Sequence, residues 1–292
     1  MTKQADSPEP LRGLAAAIAT LHDKTRYIQP ALRDTLNWSV TTYTELDTDT
    51  LGTFSGEVER QQSPVACATA KAIAARQGAQ CDIGIGSEGS FQSDAFGFAT
   101  FNEEILVCVD SDDNPLAIGR AKQPVFVDQI TWKLPLPSQW QQDVVAFLEE
   151  LPPKQACIVA AGDANKRVIA AEKGLYTHTQ IITALQQLST HANATLLELQ
   201  FDLRAMHCPQ RQETLAAAAQ DLAKRLTSKC PQCNHRGFVY DTPVSGLPCS
   251  QCLQPTAQTK AFSATCSQCN YSNQEPVAAE YTQPVNCNVC NP

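Results

Sequence analysis

The stretch CDIGIGSEGSF, residues 81–91, carries three glycines and an acid, Glu88, at the end of an otherwise apolar run. Glycine weakens a strand interior, because it gives up the most backbone entropy and packs nothing. Glycine repeated along a strand therefore marks a close backbone approach or a special dihedral. The run reads as a buried strand ending on Glu88. Before it, SPVACATAKAIAARQG (63–78) reads as a helix with Ser63 as N-cap and Pro64 in its first turn. After it, EEILVCVDSDDNPLAIGRA (103–121) reads as a hairpin, two apolar runs around a turn-rich centre. Glu104, Asp110, Asp112 and Asp113 fit no EF-hand spacing and read as a solvated turn.

The same alternation extends in both directions. GLAAAIAT (13–20) is a short apolar strand, and LHDKTRYIQPALRDTL (21–36) turns to helical spacing with Tyr27, Ile28, Leu32 and Leu36 on one side. WSVTTYTEL (38–46) is a β-branched strand, and DTDTLGTFSGEVERQQ (47–62) is a long polar loop. WQQDVVAFLEEL (140–151) is an amphipathic helix. ACIVAAG (156–162) and NATLLELQFD (193–202) are strands, and residues 177–191 and 212–229 are helices. The expected architecture is an α/β domain over residues 13–229, a layered mixed sheet with flanking helices, after a disordered leader over residues 1–12.

Residues 230–292 are different in kind. Eight of the thirteen cysteines fall there as four C-x2-C pairs: Cys230/Cys233, Cys249/Cys252, Cys266/Cys269 and Cys287/Cys290. The 15- and 17-residue gaps within the first two and last two pairs match four-thiolate zinc sites, so the tail reads as tandem ribbons holding two structural zinc ions. Pairing in sequence order is the reading adopted; the spacing also admits a crossed order. A closed four-thiolate site leaves no position for substrate. The scattered cysteines, with no secretory h-region and no apolar run of membrane-spanning length, fit a reducing, cytoplasmic setting without membrane contact. The net charge of −8, with only Arg236 and Lys260 as cations against Asp241, Glu275 and Glu280 in the tail, disfavours nucleic acid. A protein partner or an intramolecular contact for the ribbons fits better.

Ligands of open α/β sheets sit at the carboxyl ends of strands. Three polar clusters occupy such places: ATLHDK (Thr20, His22, Lys24), SGEVER (Glu57, Glu59, Arg60) and GSEGSF (Glu88). Hydroxyl and lysine ahead of a helix N-terminus suit phosphate, and two carboxylates from separate loops suit Mg²⁺. Arg204 and Arg211 either reach the same pocket or pair with Asp202 and Glu213, the latter being favoured.

Nearly the whole chain, through ATLHDK, GTFSGEVER, GSEGSF, FDLRAM and the closing CNVCNP, resembles an uncharacterised bacterial family with a C-terminal double zinc ribbon. More remotely, residues 14 to about 190 resemble the inosine and xanthosine triphosphate pyrophosphatases, on IATLHDKTRYIQPAL, SPVACATAKA, GIGSEGSF and EKGLYTHTQIITALQQ. That second resemblance implies a nucleotide ligand held at its phosphates by Thr20, Lys24 and Lys71. It further implies Mg²⁺ on Glu59, and Glu88 sharing the metal or activating water. His22 is a further candidate for substrate contact. The expected function is Mg²⁺-dependent nucleoside triphosphate pyrophosphohydrolysis, the alternative being a non-catalytic nucleotide- or nucleic-acid-binding protein whose ribbons recruit a partner.

Overall fold

A computed structural model describes residues 11–45 and 63–292. Five strands form the first sheet in the order β2-β1-β3-β4-β5: β1 (Ala15–Ala19), β2 (Ser39–Tyr43), β3 (Ile83–Ser93), β4 (Thr100–Val109) and β5 (Pro115–Val125). β2, β1 and β3 run parallel, while β3, β4 and β5 form an antiparallel meander. The parallel half needs crossover helices, and α1 (Thr25–Leu36) and α2 (Pro64–Ala79) supply them on opposite faces. α2 begins as its sequence requires, with the Ser63 hydroxyl accepting from Ala66 N and Pro64 in the first turn.

α1 shares its face of the sheet with α5 (Pro209–Thr227). Ile28, Leu32 and Leu36 of α1 and Leu215, Ala218, Leu222 and Leu226 of α5 bury against Ile18, Ile85, Leu106 and Cys108. Each such leucine contributes roughly 1.5–3 kcal/mol by leaving water. α2 covers the other face, where Ala68 and Ala72 meet Ile105, Val107 and Val109. Leu11 also joins the first core, and its carbonyl accepts from Trp38 Nε1.

A second sheet stands where the sequence reading had one layered sheet throughout. β6 (Gln129–Lys133), β7 (Cys157–Gly162), β8 (Val168–Leu175) and β9 (Leu196–Phe201) are ordered β6-β9-β7-β8, all antiparallel. α3 (Trp140–Glu149) and α4 (His178–Ser189) pack with this sheet in a separate core through Val144, Phe147, Ile181 and Leu185. β6 and β8 escape the periodicity reading. β8 follows β7 through a DANK turn, so a hairpin signal was present. Ahead of the tail, the described residues form a mixed α/β body with two sheets, and among the described residues no helix is long and apolar enough to cross a membrane.

The tail carries a third sheet, β10 (Thr242–Ser245), β11 (Thr259–Thr265) and β12 (Ser272–Pro276), antiparallel in that order. It joins the body through α5. Gly237 N donates to Arg225 O and Arg236 Nη1 to Leu226 O, and Arg225 pairs with Asp221 at 2.7 Å and Asp241 at 2.5 Å.

Candidate functional site

The glycines of β3 are explained by close approaches. A Cβ at Gly86 would lie 1.8 Å from Ala68 O of α2, and one at Gly89 would lie 2.2 Å from Glu104 Oε1 and 2.5 Å from Arg211 Nη2. Gly86 lets a helix press on the strand, and Gly89 leaves room for a buried ion pair on the opposite face. Strand alternation sends Gly86 and Glu88 toward α2, and Ser87 and Gly89 toward α1 and α5.

β3 does not end on Glu88; it continues to Ser93. What ends is its parallel neighbour, since the last β1–β3 pair is Ile18–Ile85. Past residue 85 that edge of β3 has no paired strand among the described residues, and the loop after β1 brings Lys24 to it. Two consecutive residues of β3 then receive one lysine each. Lys24 Nζ donates to Ser87 Oγ at 2.9 Å, and Lys71 Nζ of α2 stands 2.6 Å from Glu88 Oε1. All four side chains are buried, Glu88 being 4 % exposed. Thr20 is buried as well and has a local duty, its Oγ1 accepting from His22 N at 3.0 Å.

Glu104 is misplaced in the sequence reading. It lies not in the hairpin turn but on β4 opposite Gly89, 0 % exposed, with Oε1 at 2.6 Å from Arg211 Nε. Arg211, 2 % exposed, therefore pairs with Glu104 and not with Glu213, and its Nη1 also donates to Leu203 O. Little in the sequence signals it: Glu104 follows Asn102 and Glu103, and only the strand register sets it across from Gly89. Asn102 Nδ2 donates to Glu104 Oε1, yet Asn102 Oδ1 and Glu104 Oε2 are buried and receive no hydrogen bond among the described residues. The remaining hairpin acids behave as a turn, Asp110 accepting from Asp112 N and Asn114 N, and Asp113 pairing with Arg76. Arg204 pairs with buried Asp202 at 2.6 Å, as expected. Glu57, Glu59 and Arg60 lie outside the described residues.

Lys24, Lys71, Arg204 and Arg211 thus meet Glu88, Glu104 and Asp202 at one end of the first sheet. Burial, followed by the charge of Arg211, lowers the Lys24 ammonium to about 8, with Glu104 and Glu88 opposing. Burial, then Lys24 and Arg211, lowers His22 from 6.5 to about 4. Between these two values the unfolded chain binds the proton at position 22 more readily than the folded chain. The His22 contribution to stability is therefore whole above pH 6.5 and drains away as pH falls to about 4. Denaturant unfolding of the wild type and His22→Asn between pH 4 and 7 should show the difference narrowing in that window. An NMR titration of the His22 ring above pH 6 would contradict the placement.

Mg²⁺ takes one or two carboxylates and completes its shell with water and substrate phosphate. Glu88, on the α2 face, and Glu104, on the face of α1 and α5, lie on opposite sides of the sheet and form no shared carboxylate pair. Among the described residues, three or more His, Cys, Asp or Glu ligand atoms converge only in the tail.

There the cysteines form two groups, Cys230, Cys233, Cys266 and Cys269, and Cys249, Cys252, Cys287 and Cys290. The pairing in sequence order is corrected: knuckles one and three close one site, and two and four the other. Sulfur separations across the sites are 3.7 and 3.5 Å in the first and 3.8 and 3.6 Å in the second. A tetrahedron with Zn–S near 2.3 Å needs sulfurs about 3.8 Å apart, so both groups can hold zinc. The sheet β10-β11-β12 forces the crossing, because β11 runs directly from the second knuckle's loop into the third knuckle beside the first. Phe238, Tyr240 and Tyr271 pack around the first centre. Knuckle amides aim at sulfur, Gln232 N at Cys230 and Gln251 N at Cys249, both at 3.4 Å.

No curated protein and no solved structure matches the chain. The sequence model of a domain of unknown function, DUF6671, matches residues 71–292. That span runs from Lys71 through Glu88, Glu104 and Arg211 to the last cysteine pair, and by it the chain belongs to the DUF6671 family.

Proposed function

We propose that the chain is a Mg²⁺-dependent nucleoside triphosphate pyrophosphohydrolase with a structural zinc tail. The observation that carries this reading is the meeting of Lys24 and Lys71 on the consecutive residues Ser87 and Glu88. Two buried ammonium groups beside carboxylates, at the carboxyl ends of parallel strands, suit a polyphosphate that exchanges for part of the internal pairing. α1 adds to this: it starts without a side-chain cap, so its first-turn N–H groups and positive dipole end are available to an anion.

In this reading Lys24 and Lys71 bind the phosphate oxygens, and His22, neutral at physiological pH, orients rather than attracts. Mg²⁺ bound by Glu88, with water completing its shell, would neutralise phosphate charge. Glu104 Oε2 and Asn102 Oδ1, buried acceptors in want of a donor, hold the attacking water and align its lone pair. The water oxygen bonds to the α-phosphorus as its proton passes to Glu104 Oε2, the bond from the α-phosphorus to the α–β bridging oxygen breaks, and pyrophosphate leaves with the monophosphate retained. Lys24, near pH 8 in its affinity for a proton, is fully charged once phosphate is beside it.

Pyrophosphate release from a panel of nucleoside triphosphates with Mg²⁺ tests the reading. Glu88→Gln keeps a hydrogen-bond partner for Lys71 and is expected to lower kcat by about 100-fold or more. Tight nucleotide binding with no turnover in the wild type would instead identify a sensor, and absence of both would sink the proposal.

A further inference from the structure

β5 is an edge strand, and α5 caps much of its outer side. Arg120 N donates to Asp221 Oδ2 at 2.9 Å, so the main-chain groups of Arg120 point away from β4. Residues two apart share that direction. Pro124 accordingly stands at an outward position, where it has no N–H to leave unpaired. Phe126, two further on, has both main-chain groups held by the Gln210 side chain, at 2.8 and 3.0 Å. These are the devices by which edges are kept from pairing.

Ile118 has the same phase, opposite Val107 as Arg120 is opposite Ile105, but nothing in the described residues caps it. It faces a cleft of about 450 Å³ between Pro115–Ile118 of β5 and the first knuckle of the tail. The far wall is His235, Arg236, Gly237, Asp241, Thr265 and Ser267. Arg120 lines the cleft with a guanidinium that has no ion-pair partner among the described residues, and Arg225 is already matched by Asp221 and Asp241. The tail alone offers little positive charge. Folding it against β5 brings Arg120 and Arg225 to His235 and Arg236.

We infer that this cleft takes an extended acidic segment of a partner protein, which adds to β5 as a sixth strand. The open N–H and C=O of Ile118 supply the pairing, and Arg120 with Arg236 selects carboxylates on alternate residues of the incoming strand. The partner thus docks between body and tail, on the edge strand two strands from Glu88, with Arg120 in register with that acid through Ile105.

The test uses the full zinc-loaded chain and a fluorescein-labelled peptide, acetyl-Val-Glu-Val-Glu-Val-amide, with its Glu→Lys counterpart as control. The acidic peptide is expected to raise anisotropy saturably, with the lysine peptide at least about tenfold weaker. Ile118→Pro removes only an outward N–H and should weaken binding by about tenfold, as should Arg120→Glu. Amide exchange decides the matter even if Ile118→Pro fails to fold: the Ile118 amide should exchange faster than those of Ala117 and Gly119 in the free chain and slow in the complex. An Ile118 amide already protected in the free chain, equal binding of the lysine peptide, or binding untouched by Arg120→Glu would overturn the inference. So would displacement of the acidic peptide by an oligonucleotide, which would assign the cleft to nucleic acid.

Discussion

Arg211→Met is expected to lower the unfolding free energy by about 3–5 kcal/mol, the scale on which removing one partner strands a buried charge. Glu104 is wholly buried, and its second oxygen already lacks a donor. Without the guanidinium its carboxylate must either stay ionised with only Asn102 and the field of Lys24 for relief, or take up a proton. Arg211→Met/Glu104→Met should recover most of the loss, because two apolar side chains of similar volume carry no desolvation penalty. Glu104→Gln alone should be milder, since an amide can still accept from Arg211. Chemical denaturation of the wild type, Arg211→Met, Glu104→Met and the double variant completes a double-mutant cycle. A loss under 1 kcal/mol for Arg211→Met would mean that the pair is solvated, contrary to the geometry, since exposed pairs contribute at most about 1 kcal/mol. The polar pair persists at the cost of that sensitivity, which fits a site that must keep charge in place more than it fits a core built for stability.

A chain stopped after residue 258 should retain no tightly bound zinc. Such a chain keeps Cys230, Cys233, Cys249 and Cys252, which pairing in sequence order would make a complete site with one zinc per chain. In the crossed arrangement each centre loses two of its four thiolates. Cys249→Ser in the intact chain should abolish the second centre while leaving the ligands of the first, so zinc falls from two per chain to one. Metal analysis and Co²⁺ substitution, whose spectrum reports tetrahedral thiolate ligation, separate the two arrangements. Because the first centre packs on Phe238 and the hydrogen bonds to α5, Cys266→Ser is expected to unsettle the tail more than Cys249→Ser does.

What the sequence disclosed follows from which interactions are local. The Ser63–Pro64 helix start, the hairpin after β3 and the four knuckles are each written within a few residues, and each is present. Thr20, His22, Lys24 and Glu88 drew notice because polar loops at strand ends are where α/β sheets gather ligands, whereas Ser87, which receives Lys24, carried no such signal. The pairing of Glu104 with Arg211 was not legible, since it spans 107 positions and is set by the register of β3 against β4. The crossing of the cysteine sites was invisible for the same reason: spacing within a knuckle is local chemistry, whereas the choice of opposing knuckle belongs to the β10-β11-β12 sheet. β6 and β8 are mixed in polarity and largely half-exposed or exposed, so alternation could not single them out.

Interleaving also constrains the order in which the tail can mature on the ribosome. When the second knuckle emerges, the first is still waiting for a partner that lies 33 positions beyond Cys233. The four thiolates then available belong to two different centres, and neither centre is complete. The first can close only after Cys269 has emerged and the second only after Cys290. Lasting metal capture by this tail is therefore a late event, reserved for a chain that has been made almost to its last residue.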